Sequence, residues 1–391
     1  MSHSALQHIE HLSVALGPRG SATAGEKAGH AYAQQVLAGL GLAPREEPFQ
    51  WIGSPYLTFG LGLGLALAAE AIYWLTAGGA NPGVGALAAA ALGLLGLVSA
   101  LLESSGVDNP LRWFVPAERS QNVVAVAPAA GPVRQRLALA AHVDTHRTPL
   151  FWHSPAAFKA YRVLSVLSTL SMAALCVLFV IGLFAPSAAL RAASLLPAAV
   201  VLVMWALIVH AHFTPFTAGA NDNASGVGVV LALAERLAAE PLAGTEVWIA
   251  ITGCEESGAG GSADFVRRHG AQLAGLISVD NIAGAGAGPV FLLSEGIVIP
   301  KAYSGPLLDR ASRLAQARPE LGARPDHQRG AYTDGLPAQK AGQDALSFVG
   351  YTAAGWIPNW HHPTDVFANV DADAVDRTEQ FVWALLQEND Q

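Results

Sequence analysis

Four long apolar runs interrupt the chain, and they occur in two pairs. The first pair covers residues 57–75 and 84–102, and the second covers 163–185 and 192–211. Each run has roughly the 20 apolar residues that a helix needs to cross the hydrocarbon core of a membrane. The pattern predicts two transmembrane helical hairpins, four helices in all. Helices buried within the protein, or an apolar cap used for dimerisation, are the alternative.

One carboxylate lies inside the first apolar run. Placing the side chain of Glu70 at the centre of a membrane costs about 2.5 to 3.5 kcal/mol on insertion scales. We therefore expect Glu70 to face a partner helix or a cavity and not the lipid.

The segments between and around the hairpins have the shorter periodicities of a soluble α/β domain. Strands are expected at six apolar segments, which are 122–126, 137–141, 246–251, 276–279, 290–293 and 346–349. Helices are expected at 28–42, after the capping-box spacing of Thr23 and Glu26, and at 227–239 and 307–317. Strands that alternate with helices favour a mixed, mostly parallel sheet sandwiched by helices.

The predicted hairpins divide the chain into five stretches. The α/β domain is expected to comprise 1–55, 105–161 and 213–391, with the hairpins at 56–104 and 162–212. Because each hairpin crosses twice, the whole α/β domain should lie on one side of the membrane. The basic residues that flank the hairpins on the domain side are Arg45, Arg112, Arg147, Lys159 and Arg162. The far-side turns carry only Arg191, so the positive-inside rule favours a cytoplasmic domain in a multi-pass membrane protein.

Composition agrees with contact to lipid and excludes one class of partner. Charged residues make up 13% of the 391 residues, against about 25% in soluble globular chains. The net charge is −8, and no Lys/Arg run could follow a phosphate backbone. We expect a lipid bilayer as a partner and no nucleic acid. Nothing in the sequence sets an oligomeric state.

Candidate chemistry begins at the end of the second predicted strand. His142 and Asp144 follow that strand, and residues two apart in an extended chain share a face. The Asp144 carboxylate could therefore accept the imidazole N–H and set the tautomer of His142. A purely structural role for this pair remains open.

Further acidic side chains follow other predicted elements. Asp222 lies in the polar loop Asn-Asp-Asn-Ala-Ser-Gly before a helix, where an N-cap is the alternative role. Glu255 and Glu256 end a strand, and two adjacent carboxylates there need a nearby positive charge. Asp280 ends another strand, where it could simply be a turn residue.

The last candidate is an imidazole from the doublet His361-His362, four residues before Asp365 in the case of His361. A surface position for this doublet is the alternative. Other histidines are not assigned to a site: His146 and His153 are expected on surface loops, and His210 and His212 end an apolar run.

Together these side chains predict a metal centre. Open α/β sheets place their ligand sites beyond the carboxyl ends of strands, where these residues occur. Imidazole and carboxylate donors without a thiolate suit zinc or another borderline divalent ion. Carboxylate-bridged pairs of such ions lie about 3.5 to 4 Å apart.

The order of these motifs resembles the co-catalytic zinc peptidases, the family of bacterial leucyl aminopeptidase, glutamate carboxypeptidase II and glutaminyl cyclase. The motifs are H-x-D, D-N-A-S-G, E-E, a strand-terminal D and H-x-x-x-D, with further agreement in HLSVALGPRGSATAGEKAGHAYAQQVLAGLGL and YTDGLPAQKAGQDALSF. The resemblance covers nearly all of the chain outside the hairpins, which the soluble relatives lack.

The resemblance implies roles for each residue and an activity. Asp222 would bridge two zinc ions, with His142 and Asp280 on one ion and Glu256 and His361 on the other. Glu255 would be the general base, and Asp144 would support catalysis through His142. The implied activity is that of an aminopeptidase acting on the N-terminal residues of peptides, with a hydroxide held between two ions. No organic cofactor is expected, and other divalent metals could replace zinc.

Three other activities stay open at this point. A carboxypeptidase or deacylase shares the ligand order, but its bridging aspartate generally occurs as G-x-x-D-x-K-G. A glutaminyl cyclase keeps most of the ligands with one zinc ion. A catalytically silent membrane receptor or scaffold would keep the fold, but such proteins usually lose ligands or the base, and here all six side chains are present.

Overall fold

The protein is described by a computed structural model over residues 3–79, 81–106, 109–297 and 299–391. Its helices are α1 (His3–Glu10), α2 (Ala24–Gly39), α3 (Pro55–Leu75), α4 (Pro82–Ser104), α5 (Pro155–Phe184), α6 (Ala188–Phe213), α7 (Ala224–Ala239), α8 (Gly260–His269), α9 (Pro306–Ala317), α10 (Gly335–Lys340) and α11 (Ala372–Asp390). Its strands are β1 (Arg45–Ile52), β2 (Ala117–Ala127), β3 (Gln135–His142), β4 (Thr245–Thr252), β5 (Gly275–Val279), β6 (Gly288–Glu295), β7 (Lys301–Ala302), β8 (Arg324–His327) and β9 (Ala345–Tyr351).

The chain divides into two compact units. The first consists of Met1–Gly53, Ala117–Thr148 and Pro215–Gln391, and the second of Ser54–Pro116 and Pro149–Thr214. The second unit thus includes 105–116 and 149–161, which the sequence pattern placed in the α/β domain. Packing within the second unit explains this difference. Arg112 pairs with Glu103 of α4 at 2.7 Å, and Phe151 stacks on Tyr161 of α5 with ring centroids 4.0 Å apart.

In the first unit, the described strands form one mixed sheet in the order β1-β2-β4-β3-β5-β9-β6-β7, with β8 paired to β6. The central neighbours β4, β3, β5 and β9 run parallel, while β1, β2, β6 and β7 join through antiparallel pairs. The expectation of a mostly parallel sheet is therefore correct only for the centre. Antiparallel strands at both flanks make the sheet mixed.

Helices cover both faces of the sheet, as predicted. The main core lies between the sheet and α1, α2, α7, α9 and α11, and it takes Val247, Ile249 and Ile251 from β4. Trp248 points to the opposite face, because side chains alternate along a strand. There its ring lies 5.0 Å from that of His269 at the end of α8.

The second unit contains the four long apolar helices. Helices α3, α4, α5 and α6 form at the four predicted runs, and each is long and apolar enough to cross a membrane. Helices α3 and α4 approach closely at Gly62 and Gly96, where a Cβ on Gly96 would lie 2.5 Å from the Gly62 carbonyl oxygen. Small residues at such a crossing let two apolar helices pack backbone against backbone.

Glu70 faces a partner helix, as expected from the free energy that placing a carboxylate in lipid would cost. Its Oε1 accepts hydrogen bonds from the Ser194 hydroxyl of α6 at 2.6 Å and from Trp74 Nε1 at 2.8 Å. The side chain is buried. Two donors satisfy an oxygen that lipid would leave unsolvated.

Candidate metal centre

The six side chains singled out for a metal site meet in the first unit, beyond the carboxyl ends of the parallel strands. Strand β3 ends at His142, the loop after β4 carries Glu255 and Glu256, and Asp280 follows β5. The loop before α7 adds Asp222, and a late loop adds His361. This position is where parallel strands place ligand sites in open α/β sheets.

One half of the cluster forms around His142. Its Nε2 lies 3.3 Å from Asp280 Oδ1 and 3.5 Å from Asp222 Oδ1. The same nitrogen is 3.9 Å from Glu255 Oε2. Three carboxylates thus surround one imidazole nitrogen.

The other half forms around His361. Its Nε2 lies 3.0 Å from Asp222 Oδ2 and 3.3 Å from Glu256 Oε2. Asp222 therefore turns one oxygen towards each histidine, which is the arrangement required of a carboxylate that bridges two cations.

The histidine doublet is separated by the tertiary structure. His361 is buried in the cluster, whereas His362 Nδ1 lies 2.7 Å from the Thr364 hydroxyl and 3.1 Å from the Thr364 amide nitrogen. The geometry thus favours His361, the member of the doublet chosen from the H-x-x-x-D spacing.

Asp144 holds the loop that carries both glutamates. Its Oδ1 accepts the backbone N–H of Glu255 and its Oδ2 accepts that of Glu256, both at 3.1 Å. The His142 Nδ1 lies 3.1 Å from the Asp144 backbone oxygen and 3.6 Å from its carboxylate. The backbone carbonyl oxygen of Asp144, and not its carboxylate, therefore sets the tautomer of His142. The Asp144 carboxylate instead positions Glu255 and Glu256.

Asp222 is not the N-cap of α7. Asn223 takes that role, since its Oδ1 accepts the Gly226 N–H at 2.9 Å. The Asp222 side chain is left to face the histidines. Asp365 supports this loop by accepting the backbone N–H groups of Asn221 at 2.6 Å and Asp222 at 3.0 Å.

The electrostatics of the cluster favour bound cations. Burial raises the pKa of Glu255 and of Glu256 well above the ordinary value of a carboxyl group. Burial also acts to raise the pKa of Asp222, but its hydrogen bond and charge interactions with His361 outweigh this effect and lower the pKa to about 2. Buried carboxylates are costly unless positive charge lies beside them.

The donor atoms themselves fit zinc. Glu256 Oε1 is buried and has no hydrogen-bond partner among the described residues. Donor atoms of His142, Asp222 and Glu256 lie within 4.8 Å of one another, so one small ion could contact all three. Imidazole nitrogens and carboxylate oxygens are both zinc ligands.

His146 lies in the cluster, which the sequence analysis did not expect. It is buried, its ring stacks on that of His361, and its Nε2 lies 4.0 Å from Glu256 Oε2. The prediction of a surface loop is therefore wrong for His146, while His153 is exposed as expected. The alternation His142, Asp144, His146 carried the signal, since residues two apart share a face in an extended segment.

Two more positioning residues come from the N-terminal segment. Arg19 is fully buried and donates to backbone carbonyls that include those of Val143, next to His142, at 2.8 Å and of Gly219, three residues before Asp222, at 3.0 Å. Thr23 caps α2 by accepting the Glu26 N–H at 3.5 Å, but the Glu26 carboxylate accepts the N–H of Ala22 at 3.0 Å and of Cys254 at 2.8 Å and not that of Thr23, so only half of a capping box forms. Burial raises the pKa of Glu26 to about 8.

Three residues in or beside the cluster adopt a left-handed backbone conformation although they are not glycine. These residues are Cys254 (φ 54°), Asn281 (φ 55°) and His361 (φ 52°). Each lies in the cluster or directly beside one of its members. This conformation costs about 1 to 3 kcal/mol for a non-glycine residue, and such strain concentrates at functional sites.

Comparison with protein families gives one match. Residues 203–386 match the model described as peptidase family M28. The matched segment contains Asp222, Glu255, Glu256, Asp280 and His361. His142 precedes the segment. No curated protein matches the chain in sequence.

Solved structures share the fold at low sequence identity. BSAP, a zinc aminopeptidase from Bacillus subtilis, is 15% identical, with a TM-score of 0.57 over 99% of this chain and 94% of that one. The glutaminyl cyclase of Porphyromonas gingivalis is 17% identical, with a TM-score of 0.58 over 100% and 98%. An aminopeptidase from Aneurinibacillus sp. strain AM-1 is 15% identical, with a TM-score of 0.58 over 99% and 93%. These likenesses confirm the mixed α/β fold of the first unit.

Proposed function

We propose that this chain, whose residues 203–386 match the model of peptidase family M28, is a membrane-embedded aminopeptidase that holds two zinc ions. The family match and the shared fold support the resemblance to co-catalytic zinc peptidases and a zinc-dependent, metallopeptidase-like hydrolase activity. The observation that carries the finer proposal is the position of Asp222, with one oxygen towards His142 and the other towards His361.

The proposed ligands fall into two sets that share Asp222. His142 and Asp280 complete one set, and Glu256 and His361 complete the other. Zinc ions held by these residues would polarise a substrate carbonyl and lower the pKa of a water molecule. Glu255, buried next to His142 and held through its backbone by Asp144, takes a proton from the attacking water and returns it to the leaving amine.

The charge of the site favours a substrate with a free N-terminus. Carboxylates outnumber the imidazoles in the cluster, and Arg19, which donates to backbone carbonyls, forms no ion pair with them among the described residues. The α-amine of a peptide could bind to one of these carboxylates or to a zinc ion.

Metal analysis combined with a substrate screen tests the activity. Detergent-purified protein should contain two zinc ions per chain and release amino acids from peptides with free N-termini. Chelation should abolish this release and added zinc should restore it, because the carboxylates alone cannot polarise the scissile carbonyl.

Other outcomes of this screen would redirect the proposal. Activity only on blocked N-termini would indicate a deacylase or endopeptidase, and cyclisation of N-terminal glutamine with one ion per chain would indicate a glutaminyl cyclase. A protein that binds both ions but turns over none of these substrates would point to the silent receptor or scaffold.

The surface of the second unit supports membrane embedding. Large apolar side chains on its helices are exposed, among them Leu170 at 61% and Val177 at 58%. Aromatic residues are exposed near helix ends, including Phe184 at 81%, Phe213 at 77% and Trp113 at 87%. Exposed apolar helix faces with aromatic residues at their ends are typical of membrane-spanning helices.

Fractionation tests the membrane assignment. The protein should stay in the membrane pellet after an alkaline wash and dissolve only in detergent, because the exposed apolar area would otherwise meet water. Recovery in the soluble fraction without detergent would contradict the proposal.

From the flanking basic residues we also expect protease added outside sealed cells to leave the peptidase domain intact.

A further inference from the structure

An additional imidazole lies on the Glu256 side of the cluster. The rings of His146 and His361 stack with centroids 3.5 Å apart and an interplanar angle of 13°. Donor atoms of His146, Glu256 and His361 all lie within 4.8 Å of one another. The donor atoms are therefore close enough for one ion. Because the lone pair of an imidazole nitrogen lies in the ring plane, one of the two rings must turn out of the stack to bind that ion together with the other.

The hydrogen bonding of His146 orients a lone pair into the cluster. Its Nδ1 lies 2.6 Å from the carbonyl oxygen of Arg147. A carbonyl oxygen has no proton to donate, so Nδ1 carries the hydrogen and Nε2 is the nitrogen with the lone pair. That Nε2 is the atom 4.0 Å from Glu256 Oε2. Metal-binding histidines commonly donate their second N–H to a backbone carbonyl in this way.

His142 shows the same arrangement on the other side of the cluster. Its Nδ1 lies 3.1 Å from the Asp144 carbonyl oxygen, and its Nε2 faces Asp280. In both His142 and His146, Nδ1 therefore donates to a backbone carbonyl oxygen and Nε2 faces a carboxylate of the cluster, as expected of metal ligands.

The backbone around His146 is fixed by pairing with a returning segment. The His146 carbonyl accepts the Thr217 N–H at 2.9 Å, and the Thr148 N–H donates to the Pro215 carbonyl at 2.9 Å. The guanidinium of Arg147 lies 4.2 Å from the ring centroid of Phe216. Because hydrogen bonds already hold this backbone segment, its buried imidazole loses little further conformational entropy when it binds an ion.

We propose that His146 is a ligand of the ion held by Glu256 and His361, an inference that rests on the two-ion site proposed above. Two imidazoles, His146 and His361, and two carboxylates, Glu256 and the shared Asp222, would then hold that ion. The ion of His142 and Asp280 has only one imidazole. Because imidazole suits zinc better than magnesium or manganese, the Glu256 position should be the tighter and more zinc-selective of the two.

The competing explanation is that His146 only packs against His361. Cobalt substitution separates the two, because each imidazole bound to Co²⁺ contributes one strongly shifted ring N–H proton signal in the NMR spectrum. The wild-type protein should show one such signal more than His146→Ala. In a chelator competition, the variant should lose more affinity for one of its two ions than the roughly 10- to 100-fold that loss of a partner outside the ligand set costs.

His11→Ala is the matched control, since His11 is also stacked on an aromatic ring, that of Tyr32, with centroids 4.0 Å apart. It should keep the wild-type number of shifted signals and both affinities. Thermal unfolding of the metal-free proteins shows whether His146→Ala still folds, and His146→Phe, which keeps the stacked ring without a donor nitrogen, should lose the same signal.

Equal numbers of shifted signals in wild type and His146→Ala, with unchanged affinities, would overturn this inference and leave the two-ion peptidase intact. A wild-type protein that binds no metal would instead overturn the proposed function. The two failures are therefore distinguishable.

Discussion

Glu255→Gln should lower kcat about 10²- to 10⁴-fold, the usual contribution of a general base, while the protein keeps two zinc ions. Glutamine has the shape of glutamate but cannot take a proton from water. The backbone N–H of residue 255 would still donate to Asp144, so the loop should keep its position. Steady-state kinetics and metal analysis on the same preparation measure both quantities.

The neighbouring glutamate offers a matched control. Glu256→Gln makes the same chemical change one residue along, on a side chain that lies 3.3 Å from His361 Nε2. We expect it to weaken the binding of one ion by at least the roughly 10- to 100-fold that loss of a partner outside the ligand set costs, with activity partly recovered by excess zinc. Full turnover by Glu255→Gln, or recovery of that variant with excess zinc, would contradict the assignment of the base.

Asp222→Asn should weaken both ions at once and abolish activity at ordinary zinc concentrations. Asp222 faces both His142 and His361, so removal of its charge affects both halves of the cluster. A ligand that binds only the folded state stabilises it, by about 2.7 kcal/mol at a hundred times its Kd. Zinc should therefore raise the Tm of the wild type and leave that of Asp222→Asn nearly unchanged.

Asp334→Asn is the control for this experiment. Asp334 is fully buried, and its Oδ2 accepts the Thr252 hydroxyl at 2.6 Å. It is not among the proposed ligands, so the variant should bind two ions and keep a zinc-dependent Tm. Loss of only one ion from Asp222→Asn, with the other bound at wild-type affinity, would refute a bridging role.

The strands were predictable where apolar residues formed a continuous run. All six predicted segments are strands, because buried strands of a covered sheet show a simple apolar signal. Strand β1 was missed, since REEPFQWI carries charges and Pro48 and lies at the sheet edge. The short strands β7 and β8 lack enough apolar residues to show any pattern.

The histidines show where local pattern stops being informative. His361 and His362 are adjacent and chemically identical, and only the packing of their loop buries one of them in the cluster. His146 has polar neighbours typical of a surface loop, yet pairing of its segment with residues 215–217 buries it. Contacts between residues about 70 positions apart in the chain cannot be inferred from either segment alone.

The sequence by itself determined the residue types at the strand ends, the family resemblance and the four long apolar helices, because each depends on a local pattern of side chains. The tertiary structure decided the direction of the flanking strands, the choice of His361, the burial of His146 and the use of Arg19 as a central donor. These features depend on long-range backbone pairing and on the satisfaction of buried polar groups, which are properties of the folded chain as a whole.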